Sequence, residues 1–222
     1  MSTAPKIALI NAVTAAIPPA QAALSQDFPE AVIWNILDDR LLVDADNRGG
    51  LDDMLRERMS RLIAHAITEQ ADGVLLTCSL YGPVAQATTW DLPVLAPDEA
   101  AFAELVEASY GSILVVASFE GARDDSVQRL AEALEVSGRK SRVTGIAVPK
   151  AMAASKSQDT PALTAALTEA CLANTADIDA VFLAQYSLAP AADELQRTLG
   201  IPVVSGPKSS AVALRRLLAD RK

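Results

Sequence analysis

The sequence repeats itself about half-way along its length. Three segments recur in the same order at displacements of 106, 107 and 109 positions: Lys6–Ala12 with Ser112–Ser118, Leu75–Pro83 with Phe182–Pro190, and Leu92–Pro97 with Ile201–Gly206. Three near-equal displacements in one order predict two similar lobes, over residues 1–110 and 111–222. The last helix of the chain is a candidate to cross back and pack on the first lobe.

Short apolar runs alternate with helical patterns in both halves. Most runs are continuous in Val, Ile and Leu, which is typical of strands covered on both faces. The predicted strands are Lys6–Asn11, Ala31–Ile36, Gly73–Thr77, Pro93–Leu95, Ser112–Ala117, Arg142–Ala147, Ala180–Ala184 and Pro202–Val204. The segments between them, such as Leu51–Gln70 and Ser126–Val136, have polar residues along one side. This alternation predicts an α/β fold with a four-stranded parallel sheet and flanking helices in each lobe.

Two acidic stretches, Asp38–Asp46 and Glu120–Asp125, are predicted to be solvated loops. No linker rich in Pro, Gly or Ser separates the halves, so we expect the lobes to pack together. Parallel α/β sheets bind ligands at the carboxyl ends of their strands. We therefore expect a cleft between the lobes, with the turns at Cys78 and Gln185 on opposite walls.

Composition and charge exclude several classes of function. The 222-residue chain has a formal net charge of −9 and no block rich in Lys or Arg, which argues against nucleic-acid binding. No apolar stretch approaches the roughly 18 residues that cross a bilayer, so no membrane partner is expected. The start of the sequence lacks signal-peptide features, which favours a cytoplasmic location. Two cysteines form no disulfide framework, so we expect reduced thiols.

The two cysteines occupy different kinds of position. Cys78 follows a predicted strand and precedes a helix start at Pro83, where backbone N–H groups stabilise an anion or a thiolate. Position alone also allows a small buried residue, because free cysteine is among the most buried residue types. Cys171 lies inside the predicted helix Pro161–Leu172 and is interpreted as a core residue.

Small polar residues follow several other predicted strands: Asn11, Thr14, Ser118, Gln185, Tyr186 and Ser187. Turn-capping explains each of them singly, but as a convergent group they indicate a hydrogen-bonding site. The single histidine, His65, is predicted to be a half-buried residue in mid-helix, away from every strand end. No Cys-His or Ser-His-Asp set, zinc-ligand spacing or Gly-rich phosphate loop is present in the sequence, so no cofactor or metal is expected.

Four segments, INAVTAAIPPA, LLTCSLYGP, ASFEG and FLAQYSLAP, together with the duplicated pattern, resemble the aspartate/glutamate racemase superfamily. This superfamily includes aspartate, glutamate and hydantoin racemases, maleate isomerase and arylmalonate decarboxylase. The resemblance covers essentially the whole chain. It implies a reaction without pyridoxal phosphate or metal, in which one cysteine from each lobe faces the substrate α-carbon. One thiolate removes the proton and the opposite thiol returns it. Because members of the superfamily often pair, the resemblance also implies that the protein can form a homodimer.

The resemblance places Cys78 at the first cysteine position and Ser79 at a small polar substrate-binding position. The second position departs from the pattern, because Gln185 replaces the cysteine and Tyr186–Ser187 stand where Thr-His is common. Glutamine has no pKa near neutrality and cannot carry protons as a thiol does. The other predicted substrate-binding residues follow from their positions at strand ends and turns, and they are Asn11, Thr14, Leu80, Tyr81, Ser118, Phe119, Tyr186 and Ser187.

The expected function is a racemase or isomerase reaction at the α-carbon of a small carboxylic acid, with one cysteine as acid, base or nucleophile. Two alternatives stay open: decarboxylation of the arylmalonate type, and binding of a small acid without catalysis.

Overall fold

The computed structural model describes residues 4–87, 89–174 and 176–221. Its strands are β1 Lys6–Asn11, β2 Val32–Leu37, β3 Gly73–Leu76, β4 Val94–Leu95, β5 Ser112–Ala117, β6 Arg142–Ala147, β7 Ala180–Leu183 and β8 Val203–Ser205. Its α-helices are α1 Ile17–Asp27, α2 Leu41–Arg48, α3 Asp53–Thr68, α4 Gly82–Gln86, α5 Glu99–Ala108, α6 Glu120–Val136, α7 Pro149–Lys156, α8 Thr160–Leu172, α9 Ala192–Leu199 and α10 Gly206–Ala219.

The strands form two parallel four-stranded sheets with the same topology. The first sheet has the order β2-β1-β3-β4 and the second has the order β6-β5-β7-β8. The registers also correspond, since Ala8 pairs with Val74 in the first sheet and Leu114 pairs with Val181 in the second. These positions are displaced by the 106 and 107 residues of the sequence repeat. The predicted α/β fold with two duplicated parallel sheets is confirmed.

The two acidic stretches are helical in large part, so the prediction of loops there was wrong. Helix α6 begins at Glu120, directly after the extended residue Phe119. Acidic residues are favourable in the first turn of a helix, where they face the positive end of the helix dipole. Helix α2 takes up Leu41–Arg48, and Asp44 within it pairs with Arg40 at 2.7 Å. Ion pairs at this spacing stabilise a helix rather than a loop.

The chain divides into two compact units. The first contains the residues up to Ala100 and those from Pro207 onward, and the second runs over Ala101–Gly206. Helix α5 places Phe102 in the core of the second unit, where its ring meets Phe182 edge-to-face at 5.4 Å. Helix α10 belongs to the first unit, and Leu214 and Leu218 lie beside Gly73 of β3. The sequence repeat predicts lobes over 1–110 and 111–222, with the last helix as a candidate to pack on the first lobe.

The central strands of both sheets are covered on both faces, because every residue of β3, β5 and β7 is buried. This explains their continuous apolar sequences. Among the helices built from residues 4–87, 89–174 and 176–221, none has the length and apolarity needed to cross a bilayer.

Candidate active site

Cys78 lies where the buried strand β3 gives way to a turn. Its backbone is extended (φ −123°, ψ 116°), and it precedes a 3₁₀ turn over Ser79–Tyr81 that leads into α4. The residue is half-buried and packs against the apolar core of the first unit. The thiol is therefore neither sealed in the core, as Cys171 is, nor freely exposed.

The surroundings of Cys78 raise the pKa of its thiol. Burial raises the pKa of the thiol to about 11, and the negative charge of Asp98 acts in the same direction. The backbone groups of Leu80 and Tyr81 lower the pKa and so oppose both effects, while the Tyr81 N–H donates its hydrogen bond to the Cys78 carbonyl at 3.1 Å. These backbone groups do not overcome desolvation, which is the largest cause of the shift. At neutral pH Cys78 is a thiol and a potential proton donor.

Asn11, at the end of β1, joins the ends of the neighbouring strands β2 and β3 in the first sheet. Its side-chain Nδ2 donates to the Leu9 carbonyl at 3.2 Å, to Asn35 Oδ1 at 3.2 Å and to the Ile36 carbonyl at 3.4 Å. Its Oδ1 accepts from Thr77 Oγ1 at 2.9 Å. Asn11 is completely buried. These bonds match the strand-end capping alternative for Asn11, and a ligand would have to compete with them.

The other residues of the first unit that were predicted to bind substrate differ in their exposure to solvent. Ser79 is half-buried, while Leu80 and Thr14 are exposed. Tyr81 is fully buried, and its hydroxyl donates to the Leu41 carbonyl at 2.9 Å. Burial is the main reason that the pKa of Tyr81 rises to about 12. The Tyr81 side chain therefore lies in the core of the first unit, and its predicted role in substrate binding stays a prediction.

Gln185 occupies the corresponding turn of the second unit. It follows β7 in an extended conformation (φ −140°, ψ 139°) and begins a 3₁₀ segment over Tyr186–Ala191, as Cys78 does for its own turn. Its side-chain Oε1 accepts the backbone N–H of Ser118 at 2.7 Å. Ser118 and Tyr186 are buried, Ser187 is half-buried, and Phe119 is 45% exposed. Within the second unit, Gln185 and Ser118 are thus brought together at adjacent strand ends.

The sequence did not predict one residue near Cys78, which is Asp98. Asp98 follows β4 in the segment Ala96–Pro97–Asp98, is buried, and acts electrostatically on Cys78. The sequence could have indicated Asp98 through its position, because its carboxylate lies three positions after a strand that neighbours β3. That strand has only two residues, so its carboxyl end is difficult to recognise in the sequence.

His65 lies in α3 as predicted, but it is exposed rather than half-buried, with its ring 6.0 Å from that of Trp34. Both residues line a shallow groove beside Lys6 and Val32, the first residues of β1 and β2. The groove is therefore at the end of the first sheet opposite to Cys78. In the parts of the chain that the structure describes, no three His, Cys, Asp or Glu side chains are grouped so as to hold a metal ion.

Comparisons with known proteins agree with this architecture. The sequence profile of the Asp/Glu/Hydantoin racemase family matches residues 12–214. No curated protein matches the sequence. Among solved structures, an aspartate racemase from Picrophilus torridus superposes with a TM-score of 0.77 at 13% identity, covering 97% of this chain and 94% of that one.

Two further solved structures resemble the chain over nearly its whole length. A glutamate racemase isoform from Bacillus anthracis gives a TM-score of 0.75 at 15% identity, covering 99% of this chain and 84% of that one. An allantoin racemase from Klebsiella pneumoniae gives a TM-score of 0.70 at 18% identity, covering 98% and 89%. Identities this low show a shared fold only. Family membership rests on the sequence profile, which spans most of the chain. The chain belongs to the Asp/Glu/Hydantoin racemase family.

Proposed function

We propose that this protein is a cofactor-independent enzyme of racemase or isomerase type that acts at the α-carbon of a small carboxylic acid. Cys78 is the proposed proton-transferring residue. The observation that carries the proposal is a half-buried thiol directly after a central parallel strand and before a 3₁₀ turn, in a chain of the racemase family. A group that exchanges protons with carbon must be reachable and held in a fixed position.

The reaction is proposed to use one thiol. Gln185 stands at the position that corresponds to Cys78, and its amide has no protonation step in the physiological range. Its oxygen already accepts the N–H of Ser118 at 2.7 Å, which supports a structural role for this side chain. Proton transfer by Cys78 alone would then occur on a single face of the α-carbon, which allows proton exchange, isomerisation or protonation of a carbanion, but not racemisation by this thiol alone.

Neutral donors are proposed to stabilise the enediolate that forms when an α-carbon beside a carboxylate carries negative charge. The guanidinium group of Arg58 is bound by Asp38 at 2.6 Å and by Asp44 at 2.7 Å. Arg123 is paired with Asp124 at 2.8 Å. With these cations engaged by carboxylates, the half-buried hydroxyl of Ser79 and the backbone N–H groups of its turn are the proposed donors.

Decarboxylation of the arylmalonate type is the second candidate, and the protonation state of Cys78 favours it. Loss of carbon dioxide generates the enediolate without a base, so the protein needs to supply only one proton. A thiol whose pKa is about 11 is in the right form to do so at neutral pH. Binding of a small acid without chemistry is the third candidate, and the amide at position 185 supports it.

The test is turnover of a panel of amino, unsaturated and malonic acids in heavy water, followed by NMR and by measurement of carbon dioxide release. The proposal predicts chemical change or α-proton exchange for at least one acid. Cys78→Ala should reduce that rate by about 10²–10⁴-fold, which is the contribution of proton transfer by a positioned group. Cys171→Ala, at the buried cysteine of the second unit, is the matched control and should retain the rate. Full activity of Cys78→Ala would refute the proposal, and saturable binding without turnover would leave the third candidate.

A further inference from the structure

The side chain of Gln185 is held by the backbone at the end of the second sheet. Strands β5 and β7 pair as far as Val116 with Leu183, and the Ala184 N–H donates to the Val116 carbonyl at 2.9 Å. Beyond this bond the strands end, and the N–H of Ser118 donates to Gln185 Oε1 at 2.7 Å. The Gln185 amide therefore lies at the carboxyl ends of two neighbouring strands.

This hydrogen bond fixes which end of the Gln185 amide faces the backbone. A backbone N–H can only donate, so the atom that it meets at 2.7 Å must be the amide oxygen and not the nitrogen. The oxygen and the nitrogen of a side-chain amide are bonded to the same carbon and point in different directions. Nε2 of Gln185 is therefore directed away from the Ser118 N–H, and its two hydrogens remain for another acceptor.

Nε2 of Gln185 is an accessible donor. Within residues 4–87, 89–174 and 176–221, the bond from Ser118 is the hydrogen bond that this side chain makes, and Nε2 has no acceptor. Gln185 is half-buried. In the same part of the chain, the fully buried side-chain nitrogen and oxygen atoms without a partner are Trp90 Nε1 and Ser112 Oγ, so Nε2 is not sealed in the core.

A donor that is held in place before binding recognises a ligand at a lower entropic cost. A free glutamine side chain loses rotamer freedom when it binds a ligand, whereas the Gln185 amide has already lost that freedom on folding. Ser118, which holds the amide, is itself buried. The second unit therefore presents a preorganised donor at the carboxyl ends of β5 and β7, the end at which parallel sheets bind ligands.

We propose that Gln185 is a substrate-binding residue whose Nε2 donates to a carboxylate or carbonyl oxygen of a small acid, while its Oε1 stays on the Ser118 N–H. This inference rests on the proposed function for the class of ligand, and it gives a role to the residue that corresponds to Cys78. Nε2 can only donate, so the group that it recognises must be an acceptor. Hydrogen bonds to ionised groups are about twice as strong as neutral ones, so a carboxylate is the expected partner.

The test observes the Gln185 amide directly, by NMR of the ¹⁵N-labelled protein with its side-chain NH₂ signals assigned. Malonate, a small dicarboxylate, and malonamide, its neutral diamide, are titrated separately. The inference predicts a saturable shift of the Gln185 NH₂ signals. Tighter binding of malonate would assign the recognised oxygen to a carboxylate, and tighter binding of malonamide would assign it to a carbonyl. Signals that move with neither probe would overturn the inference, and this result requires no variant to fold.

Gln185→Glu separates ligand recognition from the bond to Ser118. Glutamate keeps an oxygen for the Ser118 N–H but places a negatively charged oxygen where Nε2 was. Malonate should then bind at least about tenfold more weakly, because a hydrogen bond to a charged group is lost and a like charge faces the ligand. Equal malonate affinity in the parent and in folded Gln185→Glu would overturn the inference.

Gln196→Glu is the matched control. Oε1 of Gln196 also accepts a backbone N–H, from Val203 at 3.0 Å, but Val203 is the first residue of β8 and so lies at the opposite end of the same sheet. This substitution adds the same charge at an exposed position, where salt screens it, so malonate affinity should stay within about twofold of the parent. Equal weakening by the two substitutions would show an effect of net charge and contradict a contact at Gln185.

The two proposals can fail separately. If the Gln185 signals respond to malonate but Cys78→Ala retains turnover, the role of Gln185 stands and the proposed function is wrong. If Cys78→Ala abolishes turnover but the Gln185 signals respond to neither probe, the function stands and the role of Gln185 is wrong.

Discussion

Corresponding positions in the two units have the same backbone but different chemistry. Asn11 and Thr77 of the first unit correspond to Ala117 and Ala184 of the second, through displacements of 106 and 107 residues. The first pair forms a buried hydrogen bond of 2.9 Å between side chains, whereas the second pair is apolar. The duplicated fold thus accommodates either a hydrogen-bonded polar pair or an apolar pair at these strand ends.

A double-mutant cycle at Asn11 and Thr77 tests this interpretation. Asn11→Ala should lower the free energy of unfolding by about 2 kcal/mol, and Thr77→Ala by about 1 kcal/mol, because each leaves a buried polar partner without its hydrogen bond. The double variant should cost about 1 kcal/mol less than the sum of the two, since it recreates the apolar pair of the second unit. Urea unfolding measures all three, and strict additivity would contradict the account.

The sequence predicted part of the candidate site. Cys78 and Gln185 follow strands in a duplicated pattern, so their correspondence could be read from spacing alone. The hydrogen bond from the Ser118 N–H to Gln185 Oε1 depends on the side-chain rotamer of Gln185, which sequence spacing does not specify. The burial of Tyr81 and Asp98 depends on how α2 and β4 pack beside the turn. These are tertiary effects with no local signature.

At the level of elements, strands were predicted more accurately than helix starts. Strand β5 and strand β6 have the predicted bounds, because continuous apolar or β-branched runs between polar segments define them clearly. Helix α6 begins six residues before the predicted start at Ser126. Its first turns are rich in acidic residues and Gly121, which resemble a loop in composition. The helix dipole and the ion pair between Arg129 and Asp125 stabilise this segment as helix.

Helix α6 packs closely on β6 at Gly145, and a substitution there tests the contact. A Cβ atom at this position would lie 2.7 Å from both Arg123 Cγ and Val127 Cγ2. The Arg123 side chain can move aside, but the branched Val127 cannot do so easily. Gly145→Val should therefore lower the free energy of unfolding by roughly 2–3 kcal/mol through overpacking.

The matched control for Gly145→Val is Gly121→Ala in the same helix. A Cβ atom on Gly121 would meet Phe119 at 3.4 Å, which is close to ordinary contact. Alanine also favours the helix over glycine, so stability should stay within about 0.5 kcal/mol of the parent or rise. Equal thermal unfolding curves for Gly145→Val and the parent would show that α6 and β6 do not pack as described.

At the scale of the whole molecule, both ends of the chain belong to one unit. Strand β1 begins the first unit and helix α10 completes it, after the chain has formed the entire second unit. Leu214 of α10 is fully buried and lies beside Gly73, the first residue of the inner strand β3. A helix more than a hundred residues away in sequence therefore packs against β3, the strand that leads to Cys78.

Substitutions in α10 test this long-range dependence. Leu214→Ala should lower the free energy of unfolding by about 3 kcal/mol, as expected when a buried leucine is truncated. Val212→Ala, on the exposed side of the same helix, should change it by less than about 0.5 kcal/mol. Hydrogen exchange should show that Leu214→Ala weakens the protection of β1 and β3. Loss of protection confined to α10 itself would contradict the assignment of this helix to the first unit.

The central claim is that the sulfur of Cys78 alone transfers a proton to the α-carbon. The most direct test is the stereochemistry of deuterium incorporation at that carbon in heavy water, determined by chiral separation and NMR for the parent, Cys78→Ala and Cys171→Ala proteins. The account predicts label on one face only in the parent and in Cys171→Ala, and no label above background in Cys78→Ala. Label on both faces at equal rates, or label that persists in Cys78→Ala, would contradict it.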